Sequence, residues 1–341
     1  MRRAILTTLL LALAALPPSL VAQRYTSDSG EPRVALVKMP YSGARNVPEL
    51  SGGPTYLEGG DIRQTLTSGG VELKPVSNVT LTAEEEPQYG ERRRLGMANT
   101  HLADIVARNE QEGYLSVGLL ANCSSLMGML AGLQRSDPGG RPLKVGLVFI
   151  DAHGDFNTPE TSLSGMLGGM PLAVSAGLAL WRLREWSGLE EPISTEHIVL
   201  GAARDLDPLE GDLVEEHELA RLSTDDFRQR SSRMHEEMER LSRETDIIYV
   251  HIDMDVLDPR EVPGHPLTVA GGPTSRELAD ALTEMFRYEK VAALGIASTP
   301  YGDRDPDGVS RRAAYHLIEG AVEGIRTRPA SPSPTPSPPA S

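Results

Sequence analysis

The 341-residue sequence contains a single cysteine, Cys123, so no disulfide can close within the chain. No basic stripe offsets a formal net charge of −15, which argues against nucleic acid as the main partner. No internal repeat is present. The N-terminal apolar run, Ala4 to Leu16, is shorter than the roughly 20 residues a membrane-spanning helix needs. No cysteine follows that run, so a lipid anchor has no support. The pair Arg2-Arg3 lacks the rest of a twin-arginine signal. What is there reads as a general secretory signal: a basic start, the apolar run, the break at Pro17-Pro18 and the small residue ending Leu20-Val21-Ala22. Residues 1–22 are therefore expected to be a signal peptide, and the chain to be exported to a periplasm or the extracellular space.

At the other end, residues 327–341 are almost wholly Pro, Ser, Thr and Ala, a composition that cannot bury a core and is expected to be disordered. Residues 23–326 are left as one domain. Within it, short continuous apolar runs read as strands buried on both faces: Arg33 to Lys38, Tyr114 to Leu120, Lys144 to Ile150, His197 to Gly201, Asp246 to Ile252 and Val291 to Ile296. Helical patterns separate them, over Glu91 to Glu110, Ser124 to Gln134, Pro171 to Arg184, Thr224 to Glu244 and Ser275 to Tyr288. The alternation predicts an α/β fold, a single three-layer domain with a central, mainly parallel sheet and helices on both faces. Ligands of such sheets sit beyond the carboxyl ends of the strands.

The conspicuous polar clusters fall at those ends. Asp151, His153 and Asp155 are spaced by two, which points them the same way along an extended tip. Asp253 and Asp255 repeat the spacing after another strand. So many carboxylates on one side repel each other unless a cation sits among them. Mixed oxygen and nitrogen donors suit Mn2+ better than Ca2+, with Zn2+ and Fe2+ also compatible. Asp207-Pro208 and Asp258-Pro259 fit helix caps or turns equally well. Arg204 and Asp205 are expected to form a structural ion pair. His251 is placed to orient a metal ligand, and His101, His197, His217, His235, His265 and His316 read as ordinary surface or core residues.

Asp151-Ala-His-Gly-Asp-Phe-Asn-Thr-Pro159, with Ser164-Gly165 and Gly169-Met-Pro171 after it, resembles the signature of the ureohydrolases, the arginase, agmatinase and formiminoglutamase family. Ile252 to Pro259, Gly201 to Pro208, and Pro266 to Gly272 with Arg276-Glu277 resemble its other segments. The resemblance implies an arginase-like domain with two Mn2+ ions. Asp151 and Asp253 would bridge them, with Asp155 on one and His153 and Asp255 on the other, and a bridging hydroxide would attack an amidino carbon. The catalytic assignments fall on Asp155 and His153. Asn157, Ser164, Asp207 and Glu210 match substrate-binding positions. A small guanidino or amidino substrate is implied, and a homo-oligomer is compatible with the family.

The sequence departs from the family pattern at three places. Cys123 stands where the family's first metal-ligating His is found, as in N-omega-hydroxyarginine amidinohydrolases; thiolate is a competent, softer ligand, and an inert core thiol is the alternative. Gly168 replaces a His thought to shuttle protons. No acid stands near Pro300, where the family holds the guanidinium; Asp303 and Asp305 are the nearby substitutes. The expectation is a hydrolase of a linear amidine or guanidino C–N bond, with a substrate other than plain arginine. A non-catalytic exported metal- or ligand-binding relative and a metal-dependent deacylase are the competing readings.

Overall fold

The computed structural model describes residues 24–42 and 51–329. The expected signal peptide and the tail beyond Pro329 lie outside the described residues. Among the described residues nine strands form one sheet: β1 Arg33–Met39, β2 Glu72–Leu73, β3 Ser77–Asn78, β4 Leu115–Leu120, β5 Val145–Ile150, β6 Ile198–Gly201, β7 Ala220–Leu222, β8 Ile247–Asp253 and β9 Val291–Ala297. Their order is β2-β1-β4-β9-β8-β5-β6-β7, with β3 also paired to β1, and every pairing within the sheet is parallel. The central strands β4, β5, β8 and β9 are buried at every position, as strands covered on both faces must be. The three-layer α/β architecture read from the sequence is present.

Small residues set how closely the layers approach. The helix Leu126–Gln134 is buried throughout and lies against the helix Glu91–Gln111. A Cβ on Gly132 would come within 2.6 Å of the Val106 side chain. This tight seam fixes the helix whose preceding turn carries Cys123.

Two expected helices are interrupted. Pro171 to Arg184 forms Pro171–Ser175 and Trp181–Trp186, because Gly177 and Leu180 take left-handed conformations. Thr224 to Glu244 breaks at Arg230, also left-handed, and restarts with the Ser231 hydroxyl capping Met234 N–H. The three-residue strand β7 and the helix Val309–Arg326 were not anticipated. The leading segment is tied down at Tyr25, whose buried hydroxyl donates to Glu110. At the far end, Arg328 donates to the carbonyls of Phe286 and Val291.

Candidate metal centre

Strands β4, β9, β8, β5 and β6 are successive neighbours in the sheet. The loops leaving their carboxyl ends therefore meet at one place. Cys123 enters from the 3-10 turn Cys123–Ser125 after β4, and the Asn122 side chain accepts from Ser124 N–H at 3.0 Å to start that turn. Asp151, His153 and Asp155 follow β5. Asp253 ends β8, and Asp255 lies in the turn Met254–Val256.

These side chains converge. Cys123 Sγ is 2.9 Å from Asp253 Oδ2 and 3.8 Å from Asp151 Oδ2. His153 Nδ1 is 3.1 Å from Asp255 Oδ2 and 3.4 Å from Asp151 Oδ1. Potential ligand atoms of Cys123, Asp151 and Asp155 lie within 4.8 Å of one another; the same holds for Asp151, His153 and Asp255, and for Asp253, Asp255 and His265. Cys123 and the four aspartates are buried.

The electrostatics are those of a site short of positive charge. Burial, reinforced by neighbouring carboxylates, pushes Asp155 and Asp255 far above the usual carboxylate range. Burial and the nearby Asp253 likewise push the Cys123 thiol up. Burial alone would lower His153, but its hydrogen bonds to Asp151 and Asp255 outweigh that and push it up to about 12. Among the described residues, no Lys or Arg makes an ion pair with any of the four aspartates; the basic groups within reach of them are the imidazoles of His153 and His265. A thiol, an imidazole and four carboxylates in this arrangement fit divalent cations, which supply the missing charge and hold such ligands deprotonated.

The surroundings hold the ligands in place. His251, fully buried and stacked on Phe149 at 5.1 Å, lies 3.3 Å from Cys123 Sγ through Nε2. Its Nδ1 is 2.8 Å from the Tyr249 hydroxyl. Tyr249 O–H donating to Nδ1, and Nε2–H to sulfur, gives both ring nitrogens of His251 a partner and suits a thiolate ligand. Burial holds His251 down at about 4, in its neutral form. Ser298, just past β9, donates to Asp253 Oδ2 at 2.5 Å. Arg204 makes no ion pair with Asp205, contrary to expectation; its guanidinium donates to the carbonyls of Ala202, Val256, Val269 and Ala270, joining three loops at the rim. Asp155 and Ser298 take left-handed backbone conformations, φ 47° and 62°, local strain of the kind that collects at functional sites.

The cluster forms the floor of a cavity of about 1930 Å3. Asn157, Ser164, Asp207 and Glu210 all line it. Asn157 donates to Asp207 at 3.2 Å, while the Glu210 carboxylate accepts the backbone N–H groups of Phe156 and Asp207. Gly168 also faces the cavity, and a Cβ there would meet nothing within 4 Å. Neither Asp303 nor Asp305 lines it. Asp305 is buried and instead accepts from Ser310 N–H, Arg311 N–H and the Tyr56 hydroxyl. The exposed part of the lining mixes large apolar side chains, Tyr89, Met166, Trp181 and Leu267, with the charged Glu91, Arg92, Arg93, Glu160 and Arg182.

Sequence reasoning missed two contributors. Ser298 carried no spacing signal. His265, taken for an ordinary residue, is brought to the cluster with Nε2 3.8 Å from Asp253 Oδ1.

A parallel sheet covered on both faces, with a buried acidic cluster at the carboxyl ends of its central strands, defines an α/β protein built around a metal centre. A family model described as Arginase family matches residues 33–321, and the chain belongs to that family. Arginase from Bacillus caldovelox is 36% identical over 188 residues, 53% of this chain and 59% of that protein. The chain thus spans about three-fifths of the length of that relative, and of the Brevibacillus brevis arginase. Human mitochondrial arginase-2 is 28% identical over 78% of this chain and 75% of its own. Among solved structures, Bacillus subtilis arginase superposes with a TM-score of 0.74 at 24% identity, over 85% of this chain and 98% of its own. Formimidoylglutamase from the same species gives 0.66 at 19%, over 89% and 90%.

Proposed function

We propose that this chain is a binuclear metal-dependent hydrolase of a linear amidine or guanidino C–N bond, with a substrate other than plain arginine. One observation carries the reading: Cys123, Asp151, His153, Asp155, Asp253 and Asp255 converge in one largely buried cluster of an arginase-family fold, and among the described residues no Lys or Arg makes an ion pair with its aspartates. Cys123, Asp151, Asp155 and Asp253 would hold one cation, and Asp151, His153, Asp253 and Asp255 the other, with Mn2+ the proposed metal. When bound, such a pair supplies a water nucleophile at neutral pH and stabilises developing negative charge. The chain's own residues do the rest. Tyr249 and His251 orient Cys123, Ser298 fixes Asp253, and Asn157, Ser164, Asp205 and Asp207 offer polar contacts on the cavity wall. No carboxylate from residues 295–305 reaches the cavity to pair with a guanidinium. In the same reading the chain is exported, a proposal supported by the basic and apolar start of the sequence.

The test is metal content by elemental mass spectrometry, followed by turnover on a panel of guanidines, amidines and N-acyl amines. Two Mn2+ per chain are expected in the wild type, none in Asp253→Ala and one in Cys123→Ala. A wild-type protein that stays metal-free after Mn2+ loading would overturn the proposal. Turnover confined to N-acyl amines would replace the proposed reaction with deacylation.

A further inference from the structure

His265 belongs to none of the paired strand-end motifs. Its side chain is 1% exposed, the residue lines the cavity, and its Nε2 is 3.8 Å from Asp253 Oδ1. That nitrogen is buried and has no hydrogen-bond partner. A polar atom left unpaired in a buried site carries a desolvation cost unless something else satisfies it.

The other ring nitrogen decides what Nε2 can do. The backbone N–H of Leu267 donates to His265 Nδ1 at 3.2 Å. A nitrogen that accepts cannot carry a proton, so the ring's hydrogen sits on Nε2. An Nε2–H has no lone pair in the ring plane to give a cation. His265 therefore lies close enough to Asp253 and Asp255 to complete a set of metal ligands, yet its ring is arranged as a donor. The loop is held to this arrangement from both sides. A Cβ on Gly264 would fall 2.0 Å from the Arg304 carbonyl, and Arg304 Nη1 donates back to the Gly264 carbonyl at 3.2 Å. His265 N–H is engaged by the Val262 carbonyl at 2.9 Å.

We infer that His265 is a specificity-determining residue: a fixed Nε2–H donor, beside the cluster, that receives an acceptor atom of the substrate's reacting group. The inference rests on the amidine or guanidino reading and narrows it. A protonated guanidinium presents only N–H donors and would set them against this N–H. An amidino group that is neutral at pH 7, or that carries an oxygen, presents an acceptor. The substrate class is thus an N-substituted guanidine or amidine bearing such an acceptor. The lack of a carboxylate from residues 295–305 in the cavity agrees, since that stretch places no anion there to receive a cationic head.

Two measurements test this. In Zn2+-loaded protein labelled with 15N-histidine, with the His265 signals identified by their loss in His265→Phe, the proton is expected on Nε2 and Nδ1 is expected to be bare. A metal-bound Nε2, or a proton on Nδ1, overturns the assignment. Calorimetric titration of Mn2+-loaded protein then compares N-acetylguanidine, which carries an acceptor oxygen, with methylguanidine, a cation. The wild type is expected to favour the first by about tenfold, the scale of one good hydrogen bond. His265→Phe should lose that margin and His265→Asn, which restores a donor, should keep part of it, with metal content equal in all three. Equal affinities in the wild type, a margin that survives in His265→Phe, or metal lost from His265→Phe would each overturn the inference. Binding of neither probe overturns the guanidino reading and the selectivity built on it, while the NMR result still decides where the ring proton sits.

Discussion

At the scale of single residues, the candidate cluster was legible because i, i+2 spacing at a strand end leaves few alternatives for Asp151, His153, Asp155, Asp253 and Asp255, which the structure brings together. Cys123 departs from the family's imidazole, and sulfur should bias the site towards softer ions. Cys123→His is therefore expected to retain Mn2+ better against competing Zn2+ than the wild type does, as read by metal content after dialysis against equal amounts of both. Glu210 was legible as a possible substrate contact, but the structure also gives its carboxylate two backbone N–H groups to receive and places it 2.6 Å from where a Gly154 Cβ would stand. Glu210→Ala should leave both N–H groups unpaired and cost about 2 kcal/mol, measured by chemical denaturation. His265 was not legible. No periodicity marks it, and it reaches the cluster only because Gly264 lets the loop close on the Arg304 carbonyl.

At the scale of elements, every strand with a continuous apolar run was readable, since burial on both faces leaves a plain signature. The short edge strand β7 and the break at Arg230 were not, because three residues carry no period and nothing about an arginine announces a left-handed turn. The pairing of β8 with β9 has its own consequence. His251 sits opposite Gly295, and a Cβ on that glycine would fall 2.0 Å from the Tyr249 hydroxyl and 3.1 Å from His251 Nδ1. The glycine leaves room for the Tyr249–His251 pair that orients Cys123. Gly295→Ala should cost roughly 1–3 kcal/mol through overpacking and should also weaken metal retention, which melting and elemental analysis of the same sample would show. Gly168→His has open space to occupy and should leave the melting temperature within about 2 °C of the wild type, since a change at a half-buried position that meets no clash is worth little.

At the scale of the whole molecule, stability and metal should be tied together through pH. In the metal-free protein the folded-state proton affinities of Asp155 and Asp255 are raised, so their protonated forms favour the fold. That contribution is complete below the ordinary carboxylate pKa of about 4 and is lost as pH rises through the raised values. Cations require the deprotonated forms, so their contribution changes the opposite way. The melting gap between Mn2+-loaded and chelator-treated protein should be small at pH 5 and widen towards pH 8. With Mn2+ at a hundred times its Kd, the binding term is about 2.7 kcal/mol, or roughly 5–10 °C. A gap flat with pH would count against the centre. The parallel order of the sheet extends this coupling to the chain's own history. Cys123 and Asp253 touch across 130 positions of sequence, and the Cys123 loop meets the others only once β4, β9 and β8 lie side by side. Contacts so distant form slowly, because chain entropy is lost before they repay it. A cation cannot seed such a fold from a local piece. A cation held by the whole set would be captured last, and its capture would mark the moment at which a newly made chain is finished.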